Sequence, residues 1–378
     1  MTARGRALAI LTGLVVFVAG WVVFVSRWSG PAGAGPGGRG AGVAGARAAD
    51  LDAFRNQLLI WAPGGFSDRE VGRVRDSTRV AAISAVRTGT LPAVSGRPGY
   101  PVVPVETMAV DTNAYTTAAG RPGRKLATLL PKGVVVSKTG AKLRRVRSGG
   151  RLRLDGNRNL RISGVVDDAL LGGYELAFER SLGRRYGIQH ASYLLVRPRG
   201  SVAGLQAELR KLLKGRTIRF LTPGDHRFVR GGEGVLPLSQ VKARFGEFAV
   251  PSLRRGRPDP AWTRANLVTR RVPLLGRVRC HRLVVGDLAK AMADLQRQGL
   301  RGQVDLADFR RRGGCWRPQL LRVARDGRLT RHAWGIAVAL KVTGDERLIR
   351  TMAQHGFIWG GGFARPNGAH FEWVGHAA

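Results

Sequence analysis

The sequence predicts an α+β protein with an N-terminal apolar segment, a mixed α/β middle region and a small α+β C-terminal region. Two observations predict the middle region. Short runs of β-branched residues bounded by glycine and polar residues, Val134–Val136 and Leu160–Val166, indicate strands. Apolar residues at helical spacing within Val202–Leu213 indicate an amphipathic helix, and a strand pattern returns at Thr217–Leu221. This strand–helix–strand order predicts helices packed on one face of a sheet.

The N-terminal segment predicts a single transmembrane helix. Arg4 and Arg6 precede the apolar run Ala7–Val25, whose roughly 19 residues approach the ~20 that a helix needs to cross a bilayer. A cleaved secretory signal, the alternative, has a shorter apolar core of ~7–15 residues and a small-residue cleavage site. Here Trp28 follows, a residue that suits a membrane interface. We therefore expect residues 1–28 to form an uncleaved anchor of a single-pass plasma-membrane protein, with the bulk of the chain extracytoplasmic.

Composition divides the rest of the chain into three parts. Residues 29–50 are rich in glycine and alanine and lack apolar periodicity, which is typical of a flexible linker. Residues 51–255 carry the mixed pattern and are expected to form an extracytoplasmic α+β domain. The turn-rich sequence Gly256–Pro260 predicts a domain boundary. Within the final part, residues 256–378, Asp287–Leu295 followed by Gly299 predicts an amphipathic helix that ends at a glycine.

The net charge indicates an acidic partner. The chain has 63 Lys and Arg against 25 Asp and Glu, a formal net charge of +38 at pH 7. Such a field attracts nucleic acid, anionic lipid head groups or the anionic polymers of a cell wall. Because the predicted anchor places the bulk of the chain outside the cytoplasm, we expect a cell-wall polymer or the membrane and no nucleic acid. An arginine preference of a GC-rich genome would explain the same composition without a partner.

The chain has two cysteines, Cys280 and Cys315. In an exported protein an isolated pair within one domain is a candidate disulfide, and two buried free thiols are the alternative. Their spacing fits neither a CxxC redox pair nor a structural zinc cluster.

The middle of the chain resembles a class of membrane permeases. The segments Leu130–Ser137, Arg151–Leu154 and Arg161–Val166 are similar to the extracytoplasmic core domain of the MacB/FtsX class, in which such a domain follows one transmembrane helix. This resemblance implies a sensing or docking module rather than a catalyst. The later membrane helices of a permease are absent from this sequence.

Three motifs near the C-terminus resemble those of cell-wall zinc peptidases. The matching residues are His332, Gly335 and Ala337 in the first, Gly356, Phe357, Trp359, Gly360 and Gly361 in the second, and His370, Phe371 and Glu372 in the third. Together they resemble the D-alanyl-D-alanine carboxypeptidase and L-alanyl-D-glutamate endopeptidase family, which includes the VanY-like enzymes. The resemblance covers about the final third of the chain and implies a small α+β domain.

The same resemblance assigns a zinc site that lacks two acidic residues. In the family the metal is held by two histidines and an aspartate, which correspond here to His332, His370 and Ala339. The acidic general base falls on Asn367. A catalytic zinc needs three protein ligands, and general acid–base help is typically worth ~10²–10⁴-fold. We therefore expect weakly held zinc and impaired catalysis, with Glu372 as the candidate substitute ligand or base.

The resemblance also suggests residues that contact a substrate. The family's carboxylate-binding arginine falls on Gln319, and Arg317 lies two residues earlier. Arg317 can make a bidentate contact with a carboxylate. Trp334 and Trp359 are expected either to fill the core or to line a peptide groove.

Three functional hypotheses follow. The leading one is a membrane-anchored cell-wall protein whose C-terminal domain binds peptidoglycan stem peptide without cutting it. The second is an active zinc peptidase that uses substitute groups such as Glu372. The third, from another functional class, is an accessory subunit of a membrane transport or division complex, which predicts a permease-like partner.

Overall fold

The computed structural model describes residues 57–221, 236–306, 309, 314–318, 329–342, 345–363 and 366–375. The predicted anchor at residues 1–28 and the linker at residues 29–50 lie outside this part of the chain. Among the described helices, none has the length and apolar character that a bilayer crossing requires. The described part is a mixed α/β structure, in agreement with the predicted α+β class.

Among the described residues, the largest sheet has nine strands. They are β1 (Leu58–Phe66), β2 (Val80–Arg97), β3 (Tyr100–Val110), β4 (Val134–Ser137), β5 (Arg151–Leu154), β6 (Arg158–Val166), β7 (Leu176–Glu179), β8 (Ala191–Pro198) and β9 (Arg219–Leu221). Their order is β3-β7-β4-β6-β5-β2-β8-β1-β9, and β2 also pairs with β3. The long strand β2 pairs with β8 along its first half and with β3 along its second half. The predicted strands at Val134–Val136 and Leu160–Val166 lie within β4 and β6.

In the described part of the chain up to residue 221, six α-helices accompany this sheet. They are α1 (Asp68–Arg75), α2 (Thr112–Ala119), α3 (Arg121–Ala127), α4 (Lys138–Arg144), α5 (Arg180–Arg185) and α6 (Val202–Leu212). The expectation that helices cover one face of the sheet is wrong. Leu58 and Ile60 of β1 pack in one cluster with α1 and α6, whereas Leu59 and Trp61 pack in another with α2 and α3. Because successive strand residues point to opposite faces, β1 is covered on both.

The C-terminal region is built from smaller elements. They are α7 (Leu238–Phe245), α8 (Pro260–Asn266), β10 (Leu267–Val272), β11 (Gly276–His281), α9 (Val285–Arg297), β12 (Ala337–Ala339), α10 (Glu346–Gln354), β13 (Phe357–Trp359) and β14 (His370–Trp373). β10 and β11 form a hairpin, and β14 lies between β12 and β13 in a second small sheet. The helix predicted at Asp287–Leu295 is α9, and Gly299 has a φ of 71° just beyond its end. That left-handed conformation suits glycine after a helix.

One hydrophobic core joins these elements, and it includes residues that precede Gly256. Leu238, Val241 and Phe245 of α7 pack in the same cluster as α9 and the small sheet. The side chain of Arg244 also donates a hydrogen bond to the Val374 carbonyl at 2.7 Å. The segment 236–255 therefore contributes to the core that supports the C-terminal motifs.

Candidate functional site

The three-stranded sheet brings the last motif next to the position of the missing aspartate. In the antiparallel pairing of β12 with β14, Ala339 lies directly opposite His370 and Ala337 lies opposite Glu372. Residues directly opposite each other in antiparallel strands project from the same face, with Cβ atoms about 4.5–5.5 Å apart. An acidic side chain at position 339 would therefore lie beside the imidazole of His370.

A short 3-10 turn, Arg331–Trp334, brings the second histidine to the same place. The ring centroids of His332 and His370 are 5.2 Å apart, with the ring planes inclined at 74°. The Nδ1 atom of His332 is hydrogen bonded to the Cys315 carbonyl at 2.9 Å. Metal-binding histidines commonly donate their second ring nitrogen to a carbonyl in this way. The structure therefore brings together the two histidines, 38 positions apart in the sequence, that the resemblance assigns as ligands.

A disulfide anchors the segment that holds His332. Cys280 of β11 and Cys315 are joined, with their Cα atoms 5.0 Å apart, and both residues are fully buried. Two residues on, the backbone N–H of Arg317 donates to the His332 carbonyl at 2.9 Å. The structure thus contains the disulfide that the sequence suggested. The disulfide holds Cys315 in place, and the carbonyl of Cys315 is the one hydrogen bonded to the His332 imidazole.

The environment of the pair disfavours positive charge. Desolvation lowers the pKa of His370 to about 3, and the neighbouring His332 and Arg331 act in the same direction. His370 is therefore a neutral imidazole at physiological pH. A neutral imidazole can accept a hydrogen bond or bind a metal, whereas a protonated one cannot bind a metal.

Glu372 is engaged by an arginine that the sequence analysis did not single out. Its side chain is completely buried, and its Oε1 atom accepts a hydrogen bond from Arg331 Nε at 3.0 Å. Arg331 is also buried and donates from Nη2 to the Leu236 carbonyl at 2.8 Å. Because a buried guanidinium needs a counter-charge, Glu372 has a structural task that competes with its predicted role as a substitute ligand or base.

The residues around Asn367 form a tight turn next to the site. Asn367 is exposed, its backbone N–H donates to the Gly360 carbonyl at 2.8 Å, and its own carbonyl accepts from the His370 N–H at 3.1 Å. Trp359 closes the turn by donating from Nε1 to the Gly368 carbonyl at 2.9 Å. A Cβ atom at Gly361 would overlap the Trp359 ring, so a larger residue here would displace that ring.

The two tryptophans of the motifs have different environments. Trp334 is 1% exposed, packs on Phe248 and donates to the Gly246 carbonyl at 3.1 Å. It is therefore a core residue, and the alternative that it lines a peptide groove does not fit this burial. Trp359 is half-buried at the turn before His370, where a ligand can reach it.

Arg317 lies at the site, whereas Gln319 lies outside the described residues. Arg317 is half-buried and follows Trp316, whose ring lies under the guanidinium of Arg279 at 4.5 Å. Trp316 is tied to the histidine segment because its Nε1 donates to the Ala333 carbonyl at 3.2 Å. A continuous path of contacts therefore leads from the β10–β11 hairpin to His332.

The hairpin presents a row of arginines that sequence reasoning missed. Arg271 lies directly opposite Arg277, and Arg279 lies opposite Thr269. All three arginines are exposed and, by their register, share one face of the hairpin. Like charges placed directly opposite each other are destabilising, so this row favours binding of an anion. We call these residues the arginine row. Its sequence signal was the alternation of arginine with other residues in β11.

The residues present do not fit a three-ligand zinc site. His332 and His370 supply two imidazoles, but position 339 has a methyl group and Glu372 is paired with Arg331. In the part of the chain that the structure describes, no three His, Cys, Asp or Glu side chains are grouped in a way that could hold a metal ion. The geometry supports an imidazole pair, in which His370 is neutral, beside exposed arginines.

Comparisons with known proteins gave likenesses to solved structures but no matching family model or curated protein. No family model matches the chain, and no curated protein matches it. Among solved structures, the chain is similar to the periplasmic region of MacB from Actinobacillus actinomycetemcomitans, with 14% identity and a TM-score of 0.33, over 46% of this chain and 92% of that chain. It is also similar to the extracellular domain of the noncanonic ABC-type transporter YknZ from Gram-positive bacteria, with 12% identity and a TM-score of 0.31, over 44% of this chain and 100% of that chain.

The first of these structures bears the name of the class that the middle of the sequence resembles. Because both TM-scores lie below 0.5, neither likeness carries a conclusion about function. The resemblance of residues 256–378 to VanY-like peptidases receives no support from these comparisons and stays a prediction.

Proposed function

We propose that this protein is a membrane-anchored extracytoplasmic protein whose C-terminal region binds an acidic peptide, such as a peptidoglycan stem peptide, without hydrolysing it. The observation that carries the proposal is the register of β12 and β14, which sets Ala339 opposite His370 beside His332. A carboxylate at position 339 would lie beside the His370 imidazole, and the sequence has a methyl group there instead.

Charge supports an acidic ligand for this region. Arg279 of the arginine row stacks on Trp316, whose indole N–H binds the Ala333 carbonyl next to His332, and the backbone N–H of Arg317 binds the His332 carbonyl. Arginine is well suited to bind carboxylates because its planar fork donates two parallel hydrogen bonds. The exposed Trp359 edge adds an apolar contact for a peptide backbone.

Restoring the two acidic groups tests the proposal. The wild-type chain is expected to bind a muropeptide in calorimetry and to release no product by mass spectrometry. Arg317→Gln should weaken binding about tenfold, the loss expected for one charge-assisted contact of about 1.4 kcal/mol. The double variant Ala339→Asp with Asn367→Asp is expected to retain about one zinc per chain after purification.

The matched control is Ala339→Asn with Asn367→Asp, which fills the same volume without the anionic ligand. It should not retain zinc. Hydrolysis by the wild-type chain that disappears in His370→Ala would contradict the proposal and support an active peptidase. Absence of peptide binding, together with a permease that co-purifies with the full chain, would favour the accessory-subunit hypothesis instead.

A further inference from the structure

A second site candidate lies in the large sheet, formed by residues that none of the motifs includes. A cavity of about 220 Å³ is lined by α1, β2, the first turn of α2 with the residue before it, and the start of α5. Three arginines line it, Arg75, Arg87 and Arg180, together with the carboxylates of Asp68 and Asp111. A cavity of this volume can contain a small oxyanion with its hydration water.

Arg87 is buried with weak compensation. The residue is 6% exposed, and the hydrogen bonds of its guanidinium to Asp68 Oδ1 and to the Ala85 carbonyl are both 3.4 Å long. Good hydrogen bonds between nitrogen and oxygen are about 2.7–3.2 Å. A guanidinium carries five N–H donors, so these two long contacts leave Arg87 poorly satisfied for a buried charge.

Arg180 adds a second guanidinium with an unsatisfied donor. Its Nε atom is buried and has no hydrogen-bond partner among the described residues. The neighbouring carboxylate, Glu179, is occupied elsewhere because it accepts from the backbone N–H and the hydroxyl of Ser181. Buried polar groups are nearly always hydrogen bonded. The unpaired Nε donor of Arg180 therefore indicates that a ligand with an acceptor atom binds in the cavity.

The two carboxylates of the cavity wall offset its three arginines only in part, although Asp68 forms an ion pair with Arg87 at 3.4 Å. The side chain of Asp68 is 85% exposed, and Asp111 Oδ1 accepts the Ala114 N–H at 2.9 Å as the N-cap of α2. Burial lowers the pKa of Arg87, and the positive charge of Arg180 lowers it further, although Asp68 and Asp111 act in the opposite direction. The two guanidiniums therefore repel each other, and an anion between them would relieve the repulsion.

We infer that this cavity is an oxyanion-binding site in which Arg87 and Arg180 hold a phosphate or carboxylate group. Both groups offer several acceptor oxygens to the planar forks of the arginines. The site is distinct from the His332–His370 pair, and it does not depend on the function proposed for the C-terminal region.

Calorimetric titration of the full chain in detergent tests the inference. Sodium phosphate and sodium acetate are added separately at constant ionic strength, which holds the general attraction of a +38 chain for anions constant. The anion that binds identifies the group. Arg180→Gln is expected to weaken its binding at least tenfold, the loss typical of a hydrogen bond to a charged group. Arg87→Lys, which keeps the charge but loses the fork, should weaken it as well.

The control is Arg185→Gln on the same helix, which removes an equal charge from an exposed side chain. This variant should change the affinity less than twofold. The inference is overturned if neither anion binds, or if Arg180→Gln and Arg185→Gln weaken binding equally, because the attraction would then come from net charge alone. Circular dichroism checks that each variant is folded.

Discussion

The ion-pair network around Glu175 balances carboxylates with cations, whereas the cluster around His370 combines two imidazoles with an Arg–Glu pair. In the first, Lys242 Nζ contacts Glu175 Oε1 at 2.9 Å and Glu247 Oε1 at 3.1 Å. Arg144 Nη2 contacts the same two carboxylates at 2.7 and 2.8 Å. Two negative and two positive charges are thus shared among α4, α7 and the residues next to β7 and α7.

The second cluster is compensated differently. Arg331 and Glu372 neutralise each other in a single ion pair. The imidazole of His370 has no carboxylate opposite it, because the facing residue is Ala339. Its neutrality comes from a pKa lowered to about 3 by burial and, in the same direction, by the neighbouring His332 and Arg331.

The difference separates structural from functional polar groups. A balanced network such as that of Glu175 holds elements together and leaves little capacity for a ligand. His370, which is kept neutral beside His332, is the group that we propose serves binding. Removing a member of the Glu175 network should therefore cost mainly folding stability, whereas removing an arginine of the arginine row should mainly change binding.

The largest effect is expected for Glu175→Gln. Glu175 and Lys242 are both almost completely buried, so the substitution leaves two cations with one carboxylate. Breaking a buried ion pair by removing one partner typically costs about 3–5 kcal/mol of unfolding free energy. The control is Lys138→Met at the exposed pair with Asp167, where the expected loss is below about 1 kcal/mol. If both substitutions lower the unfolding free energy in urea by the same amount, the buried network is no more important for stability than the exposed pair.

The same network should make the folding stability depend on pH in the acidic range. Burial raises the pKa of Glu175, but the charges of Arg144 and Lys242 outweigh it, so the pKa lies below its usual value of 4.5. The unfolded chain then takes up the proton first as the pH falls. The contribution of Glu175 to stability is therefore fully present above about pH 4.5 and is lost as the pH falls through the folded-state pKa.

A smaller effect is expected for His281, another neutral imidazole in the C-terminal core. Its Nδ1 accepts from the Leu283 N–H at 3.2 Å, so its Nε2 carries the proton and donates to the Phe245 carbonyl at 3.3 Å. Burial lowers the pKa of His281 from 6.5 to about 4. Because the unfolded chain binds a proton that the folded chain does not, stability falls from pH 6.5 toward pH 4, by about 3 kcal/mol at ~1.4 kcal/mol per pKa unit.

His281→Asn should remove most of this slope between pH 6.5 and pH 4. His190→Asn, which changes an exposed side chain, is the control and should leave the slope in place. Unfolding curves in urea at several pH values measure both variants. A slope that persists in His281→Asn would show that other groups cause it.

Short sequence patterns predicted individual strands and helices, but they did not predict contacts between residues that are far apart in the sequence. The strands at Val134–Val136 and Leu160–Val166 and the helix α9 were predicted because β-branched runs and helical spacing are properties of short segments. The disulfide was favoured because the sequence offers two cysteines. Glu175 and Lys242 are 67 residues apart, and no local pattern indicates which distant charge a residue meets.

The candidate site shows the same limit. The proximity of His332 and His370 was predicted only from the resemblance to a family. Residue spacing does not indicate that a 3-10 turn lies next to a strand 38 positions later in the sequence. The Arg331–Glu372 pair and the core position of Trp334 depend on packing between elements. The helices on both faces of β1 could have been predicted, because Leu58–Trp61 is apolar at every position, which is typical of a strand covered on both faces.

The smallest effect is expected at the arginine row. Arg279 stacks on Trp316, and a cation–π contact at an exposed position contributes about 0.5–1 kcal/mol. Arg279→Gln loses this contact but also removes a positive charge from the row, so its net cost in stability should fall below 1 kcal/mol. Arg277→Gln removes only the repulsion with Arg271 opposite it and should be neutral or slightly stabilising. If both variants weaken peptide binding but change stability in opposite directions, the arginine row serves binding rather than folding. If peptide affinity is unchanged in both variants, these arginines contribute only to the general surface charge.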